Sequence, residues 1–469
     1  MKRLFGTDGI RGVANRFPMT AKMAMNIGIA VARYVKQLGY GAVIIGKDTR
    51  ISGDMLESAL GSGITSQGVH VLAAGVIPTP GVAFLSSYFG YFDKQPIDLD
   101  EKWGMVGAGV MISASHNPWQ DNGIKLFKRG GFKLSDDEEA DIESMILAAL
   151  NSNVGDELGS SDIGRIYPIV DAKEIYCNFL KNTFNPKSNL RQLKIVVDCS
   201  NGASSSVASH LFCDQTLSCF NPTFIFNEPD GKNINERCGS QHTEKLSQKV
   251  VELEADVGLA FDGDADRLIA VDEMGQVITG DRILAICAAY SKSKSELDNN
   301  LVVTTVMSNI GLVRALKELG IDHLITGVGD REVLKKMVEY SAVMGGEDSG
   351  HMIFLKYHTT GDGLLTALRL LEVMMDTDKS LSELASIMKV YPQVLMNVEV
   401  DASRPDFMAI KPIADEIKSV EAELGSDGRV LVRYSGTQPL LRVMVEGPDH
   451  DKTKECCKRI CDKIRAYKP

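Results

Sequence analysis

Short runs of β-branched and apolar residues alternate with amphipathic helical stretches along almost the whole chain, and this alternation restricts the fold more than any other feature. Repeated strand–helix–strand units call for α/β domains with largely parallel sheets. Strands are predicted at 42–45, 70–73, 110–112, 194–197, 223–226, 257–260, 301–305 and 323–326. Helices are predicted from Thr20 as N-cap to Gly39, from near Ser52, and from about Asn309 to Gly320. Several strands run into polar turns: Gly46-Lys47-Asp48, residues 113–118, residues 262–267 and Gly327-Val328-Gly329-Asp330. In open α/β sheets ligands gather beyond the carboxyl ends of the strands, so chemistry is expected at these turns.

The 469 residues are long enough for about four domains. Stretches at 151–164 and 390–392 suggest breaks, and the expected domains are 1–166, 167–272, 273–389 and 390–469. The first three are read as α/β domains with mixed sheets. The fourth is a smaller α+β domain with strands at 396–400, 429–433 and 441–446, a helix over about 404–424 and a charged C-terminal helix. Residues 91–107 carry six charged side chains ahead of a buried strand and read as a surface insertion.

The net charge of −11 argues against a nucleic-acid surface. No apolar run approaches the ~18 residues of a membrane span, and the N-terminus reaches Asp8 before any apolar core, unlike a signal peptide. Nine scattered cysteines without a CxxC pair indicate neither zinc nor a disulfide framework. A reduced, cytoplasmic protein is expected, with no nucleic-acid or membrane partner.

The sharpest motif is Phe261-Asp262-Gly263-Asp264-Ala265-Asp266-Arg267. Three carboxylates at alternate positions repel one another unless a cation joins them, and an all-oxygen set suits Mg²⁺ or Ca²⁺. The twelve-residue calcium loop is absent. A second apolar run, residues 268–271, continues beyond the turn and gives it a rigid base.

Three further turns carry polar groups. Ser113-Ala114-Ser115-His116-Asn117-Pro118, followed by Asp121-Asn122-Gly123-Ile124-Lys125, sets a serine beside a histidine with a lysine nearby. Serine is a weak nucleophile without a base or a metal, and read alone this turn fits a polar surface loop equally well. Gly345-Gly346-Glu347-Asp348-Ser349-Gly350-His351 offers donors and acceptors suited to sugar hydroxyls, or simply a turn. Arg433-Tyr434-Ser435-Gly436-Thr437-Gln438-Pro439, with Arg442 close behind, has the composition of a phosphate cradle, or of a hairpin. Two matches fail. Residues 41–48 scan as GxxxxGK but lack the Ser/Thr and place strand residues where a P-loop needs a turn, and no serine lies in Gly-x-Ser-x-Gly.

Taken together the motifs resemble the α-D-phosphohexomutase superfamily, most closely its bacterial branch acting on glucosamine phosphates. The resemblance runs through FGTDGIRG at 5–12, GKDTRISG at 46–53, ISASHNP at 112–118, DGDADR at 262–267, residues 345–351, TTGDGL at 359–364 and residues 433–447. It implies four domains around a central cleft. Ser115 matches the family's phosphoserine, which completes a Mg²⁺ site with Asp262, Asp264 and Asp266. Arg11, His116, Lys125 and Arg267 match residues around the transferring phosphoryl group. Glu347, Ser349 and His351 match the sugar-binding loop, and Arg433, Ser435, Gly436 and Thr437, with Arg442, match the loop for the phosphate that is not transferred.

The implied reaction interconverts glucosamine 6-phosphate and glucosamine 1-phosphate by way of a hexosamine 1,6-bisphosphate, with His116 or Lys125 as acid or base. Alternatives are a phosphoglucomutase or phosphomannomutase on the same scaffold, a metal-dependent phosphosugar phosphatase, and a non-catalytic phosphosugar sensor. The resemblance also implies a homodimer as a common assembly, and a priming kinase or the bisphosphate as the source of the first phosphoryl group. Three departures from the family pattern stand out: Gln438 in place of Glu, Asp348 in place of Gln, and the length of residues 91–107.

Overall fold

The computed structural model describes residues 4–6, 8–91, 105–151, 159–186, 191–400, 405–435 and 439–467. Residues 92–104 of the expected insertion therefore lie outside the described residues, as do 152–158 of the expected first break. The chain divides into two compact units, Met1–Val306 with Asp322–Ser386, and Met307–Ile321 with Ile387–Pro469.

Among the described residues the first unit holds three sheets. The largest has the spatial order Ile10–Val13, Asp121–Lys128, Val106–Ile112, Ala42–Lys47, His70–Val76 and Ile166–Pro168. Its last four strands are parallel, while Asp121–Lys128 runs antiparallel to both neighbours. The second sheet orders Val277–Ile278, Leu268–Asp272, Val257–Phe261, Leu193–Asp198 and Phe220–Ile225, antiparallel at one side and parallel at the other. The third orders Asp322–Thr326, Leu301–Thr305, Met344–Gly346 and Met352–Phe354, with only the last pair antiparallel.

All eight strands predicted in these domains are present, and the sheets are mixed because three motif-bearing strands each turn back on an antiparallel partner. Asp121–Lys128 escaped the sequence reading because its Asp-Asn-Gly start looks like the tail of the serine turn. Helix Ala21–Gln37 starts at Thr20, whose Oγ accepts the Met23 N–H at 3.2 Å. It crosses helix Gly53–Thr65 at backbone contact. A Cβ on Gly28 would meet the Leu60 carbonyl at 2.3 Å, and one on Gly63 the Met25 carbonyl at 2.1 Å.

His358 lies in an aromatic cluster with Phe84 and Phe179, whose rings stack 4.3 Å apart. Its Nε2–H donates to the Pro80 carbonyl at 3.1 Å, and Nδ1 accepts the Thr360 N–H at 3.3 Å. Burial pushes the ring down to about 4, against about 6.5 in an unfolded chain. Protonation below pH 6.5 therefore favours the unfolded state. The stability tied to the neutral ring is complete above about pH 6.5 and lost between there and pH 4, at most about 3 kcal/mol. The urea midpoint of His358→Gln is expected to fall less steeply from pH 7.5 to pH 5 than that of the wild type; equal slopes would contradict this.

The second unit has an antiparallel sheet with Leu440–Glu446 between Gln393–Glu399 and Arg429–Tyr434. Helices Lys411–Leu424 and His450–Ala466 cover it through Ile417, Val420, Cys457, Ile460 and Cys461. Helix Ile310–Glu318 belongs to this unit as well. Its Ile310 N–H donates to Glu446 Oε2 at 3.2 Å, and Arg429 ties that carboxylate (2.9 Å) to the Ser308 carbonyl (2.7 Å).

The helix expected from about residue 404 begins only at Lys411. Asp406 caps a separate short turn, Phe407–Ala409, Ile410 is extended, and Pro412 favours a fresh start. All nine cysteines are free. Among the described residues no helix is long and apolar enough to cross a membrane.

Candidate active site

Strand Val106–Ile112 is buried throughout and delivers residues 113–118 at its carboxyl end. Ser115 sits there at φ +53°, in the left-handed region that side chains with a Cβ seldom adopt. It is 1% exposed, which corrects the surface hydroxyl suggested by the loop's composition. Its Oγ donates to Asp262 Oδ2 at 2.6 Å and lies 3.2 Å from His116 Nδ1. Burial, with Arg267 and Arg11 nearby, pushes His116 down to about 4, so the ring beside the serine is neutral at pH 7.

The acidic turn joins strands Val257–Phe261 and Leu268–Asp272. Asp262, Asp264 and Asp266 are buried, with carboxylate oxygens within 4.8 Å of one another. Ala265, between two of them, has φ +55°, and its carbonyl accepts the Gly363 N–H at 3.0 Å. Burial and the neighbouring Asp266 and Asp264 carboxylates push Asp262 well above the usual carboxylate range. Burial acts the same way on Asp266, but Lys125, then His351 and Arg267, overcome it and hold Asp266 well below that range. Asp264 Oδ1 and Asp266 Oδ1 accept no hydrogen bond although buried. Three close carboxylates with two unsatisfied oxygens fit a hard divalent cation such as Mg²⁺.

Charges interleave around this turn. Lys125 Nζ lies 2.7 Å from Asp264, 3.0 Å from Asp8 and 3.4 Å from Asp266; these carboxylates outweigh its burial and keep it protonated. Asp8 also pairs with Arg11 and with Lys133, and Lys133 pairs with Asp330. Thr79 Oγ donates to Asp264 Oδ2. The sequence reading did not single out Asp8, Thr79, Lys133 or Asp330. Asp8 stood inside the FGTDGIRG motif and Asp330 inside a recognised turn, whereas nothing local to Thr79 or Lys133 signals a role.

In residues 345–351, Glu347 Oε1 accepts the Gly329 N–H at 3.2 Å, and Ser349 is exposed. His351 is 2% exposed, with Nδ1 3.6 Å from Asp266 and Nε2 3.5 Å from Asp330. The imidazole is thus enclosed between two carboxylates. Asp348 turns toward the start of helix Gly280–Ser293: its carbonyl accepts the Gly280 N–H at 3.0 Å and its Oδ1 the Asp281 N–H at 3.4 Å. That departure from the family pattern therefore caps a helix.

In the second unit Arg433 and Arg442 are cross-strand partners. Burial and the Arg442 guanidinium make Arg433 a weaker base. Ser435 is buried, and its Oγ accepts from Arg442 Nη2 at 3.5 Å. Like charges placed opposite one another are costly unless an anion joins them. Gly436, Thr437 and Gln438 lie outside the described residues.

A buried serine aimed at a buried acidic triad, with a protonated lysine beside it, is an arrangement for phosphoryl chemistry on a divalent cation. The chain belongs to the phosphoglucomutase/phosphomannomutase family. Residues 2–152, 174–275 and 279–391 match its alpha/beta/alpha domains I, II and III, and residues 395–463 its C-terminal domain. A phosphoglucosamine mutase of Desulforapulum autotrophicum is 60% identical over 476 residues, covering 99% of each chain. One of Syntrophus aciditrophicus is 51% identical over 468 residues, again covering 99% of each. Among solved structures, a phosphoglucomutase/phosphomannomutase family protein of Burkholderia thailandensis matches with a TM-score of 0.78 at 25% identity, over 99% of this chain and 98% of that one.

Proposed function

We propose that this chain interconverts glucosamine 6-phosphate and glucosamine 1-phosphate through a phosphorylated Ser115 and a hexosamine 1,6-bisphosphate. The observation that carries the mechanism is the 2.6 Å contact of Ser115 Oγ with the buried triad. The choice of sugar rests on the full-length relatives at 60% and 51% identity. In the first half-reaction the Oγ–P bond of phospho-Ser115 breaks, the sugar's O1–P bond forms, and O1 gives up its proton. In the second, the O6–P bond breaks, Oγ–P re-forms, and O6 takes up a proton, so the cycle is proton-neutral.

His116, neutral and 3.2 Å from Oγ, relays the proton: it takes the O1 proton and hands it to Oγ as the seryl ester breaks, and takes the Oγ proton and hands it to O6 as the ester re-forms. Lys125 acts as an ammonium rather than as a base, and with Arg11 and Arg267 it stabilises charge on the moving phosphoryl group. Asp262, Asp264, Asp266 and the serine phosphate would hold Mg²⁺, which supplies charge stabilisation at the phosphoryl and serine oxygens. Glu347 and Ser349, with His351 behind them, address the sugar hydroxyls; Arg433, Ser435, Gly436, Thr437 and Arg442 take the sugar's other phosphate. The same reading makes the working form a cytoplasmic homodimer, primed by a kinase or by the bisphosphate.

Peptide mapping after incubation with hexosamine 1,6-bisphosphate and Mg²⁺ tests the phosphocarrier. One phosphoryl group on Ser115 is expected. Modification elsewhere, or none, would refute the mechanism.

A further inference from the structure

The turn that carries Ser115 is gripped from beneath by side chains that touch none of the reacting atoms. Arg50 is wholly buried. Its Nη2 donates to the carbonyls of Ser115 and Asn117, both at 2.8 Å, its Nη1 to that of Pro118 at 2.5 Å, and its Nε to Asp48 Oδ2 at 2.9 Å. Asp48 closes the ring. Its Oδ1 accepts the Arg50 N–H at 2.9 Å, its Oδ2 accepts Ser113 Oγ–H at 2.6 Å, and Ser113 Oγ accepts the Ser115 N–H at 2.9 Å. Asn235 Nδ2 adds a contact at 2.9 Å to each of the Ser115 and Asn117 carbonyls.

Both backbone polar groups of Ser115 thus end on this cluster, and its left-handed φ is a conformation kept only where the surroundings over-determine it. Three carbonyls and a carboxylate around one cation match the flat, five-donor fork of a guanidinium, whereas an ammonium has three donors and no such plane.

We propose that Arg50 and Asp48 are positioning residues for phosphoryl transfer: their ion pair locks the turn so that Ser115 Oγ stays aimed at the acidic triad. The proposal rests on the reading of Ser115 as phosphocarrier and extends it to residues that never meet substrate. Arg50 touches neither Ser115 Oγ nor a triad carboxylate, so an Arg50 variant acts first on the aim of the oxygen, and a displacement of about 1 Å is enough to slow a positioned reaction about 100-fold.

The test is a single turnover. Wild type, Arg50→Lys and Ser113→Ala are loaded with hexosamine 1,6-bisphosphate, the phosphoserine content is measured by intact mass, and its loss is followed on adding glucosamine 6-phosphate. Arg50→Lys is expected to transfer about 100-fold more slowly, with KM for the sugar phosphate and Mn²⁺ affinity within about threefold of wild type. Added guanidinium is expected to restore part of the rate in Arg50→Ala. Ser113→Ala, which removes one hydroxyl and spares the ion pair, is expected to slow transfer about fivefold.

Transfer at the wild-type rate in Arg50→Lys overturns the proposal. So does a loss shared by kcat, KM and thermal stability without guanidinium rescue, which marks a merely structural pair. If the arginine variants do not fold, an unchanged rate in Ser113→Ala overturns it alone. A wild-type protein that never loads Ser115 overturns the phosphocarrier reading itself, and the proposal with it.

Discussion

Ser115→Ala is expected to lower isomerisation by at least about 10⁴-fold, even with bisphosphate and Mg²⁺ supplied in excess. In the proposed mechanism the Oγ is the atom that bonds phosphorus in both half-reactions, so no rearrangement of neighbours replaces it. His116 stands 3.2 Å away, but its ring is tied to the proton economy of that same oxygen. The fold should survive. The substitution removes two hydrogen bonds, from Oγ to Asp262 and between Oγ and His116 Nδ1, of which the first costs about 1–3 kcal/mol because the acceptor is a buried carboxylate. Circular dichroism and the thermal midpoint separate a folded, inactive protein from an unfolded one. A folded variant that turns over near the wild-type rate would move the phosphocarrier to another residue.

The second large effect is expected at the acidic turn. Asp264→Asn keeps the shape of the side chain and removes one of three negative charges. Divalent affinity should fall at least about tenfold, or about 1.4 kcal/mol, because charge count is a main control on the affinity of hard cations. The same change strips Lys125 of its nearest carboxylate, at 2.7 Å, so its ammonium leans further on Asp8 and Asp266. An electron paramagnetic resonance titration with Mn²⁺ reads the affinity without reference to turnover. Unchanged binding would mean that the cation sits elsewhere.

The motif-bearing turns and the strands that carry them were both legible in the sequence. Asp262, Asp264 and Asp266 stand at alternate positions of one short turn, and their mutual repulsion points to a cation; the Ser115 turn and residues 345–351 are equally local. The eight strands declared themselves by β-branched and apolar runs; five of them are largely buried, whereas His70–Val76, Phe220–Ile225 and Asp322–Thr326 are only partly so. The antiparallel returns were harder, since Asp121–Lys128 opens with residues that also make turns and only pairing with Val106–Ile112 decides the matter.

Long-range contacts explain what was missed. Lys133 matters through Asp8 and Asp330, the latter 197 positions away, and Thr79 through Asp264, 185 positions away. Arg50 lay inside a recognised motif, yet its partners are the carbonyls of residues 115, 117 and 118, which no side-chain pattern announces. Asp348 illustrates the converse. As a letter it marks a departure from the family pattern within residues 345–351, and in the fold it caps helix Gly280–Ser293.

The most direct test of the proposed activity is a ³¹P NMR time course with Mg²⁺, catalytic hexose 1,6-bisphosphate and equal amounts of glucosamine 6-phosphate and glucose 6-phosphate. The glucosamine 1-phosphate resonance is expected to grow much faster than that of glucose 1-phosphate, with little inorganic phosphate. Dominant glucose 1-phosphate would contradict the assigned sugar, and phosphate released faster than either product would contradict the mutase mechanism.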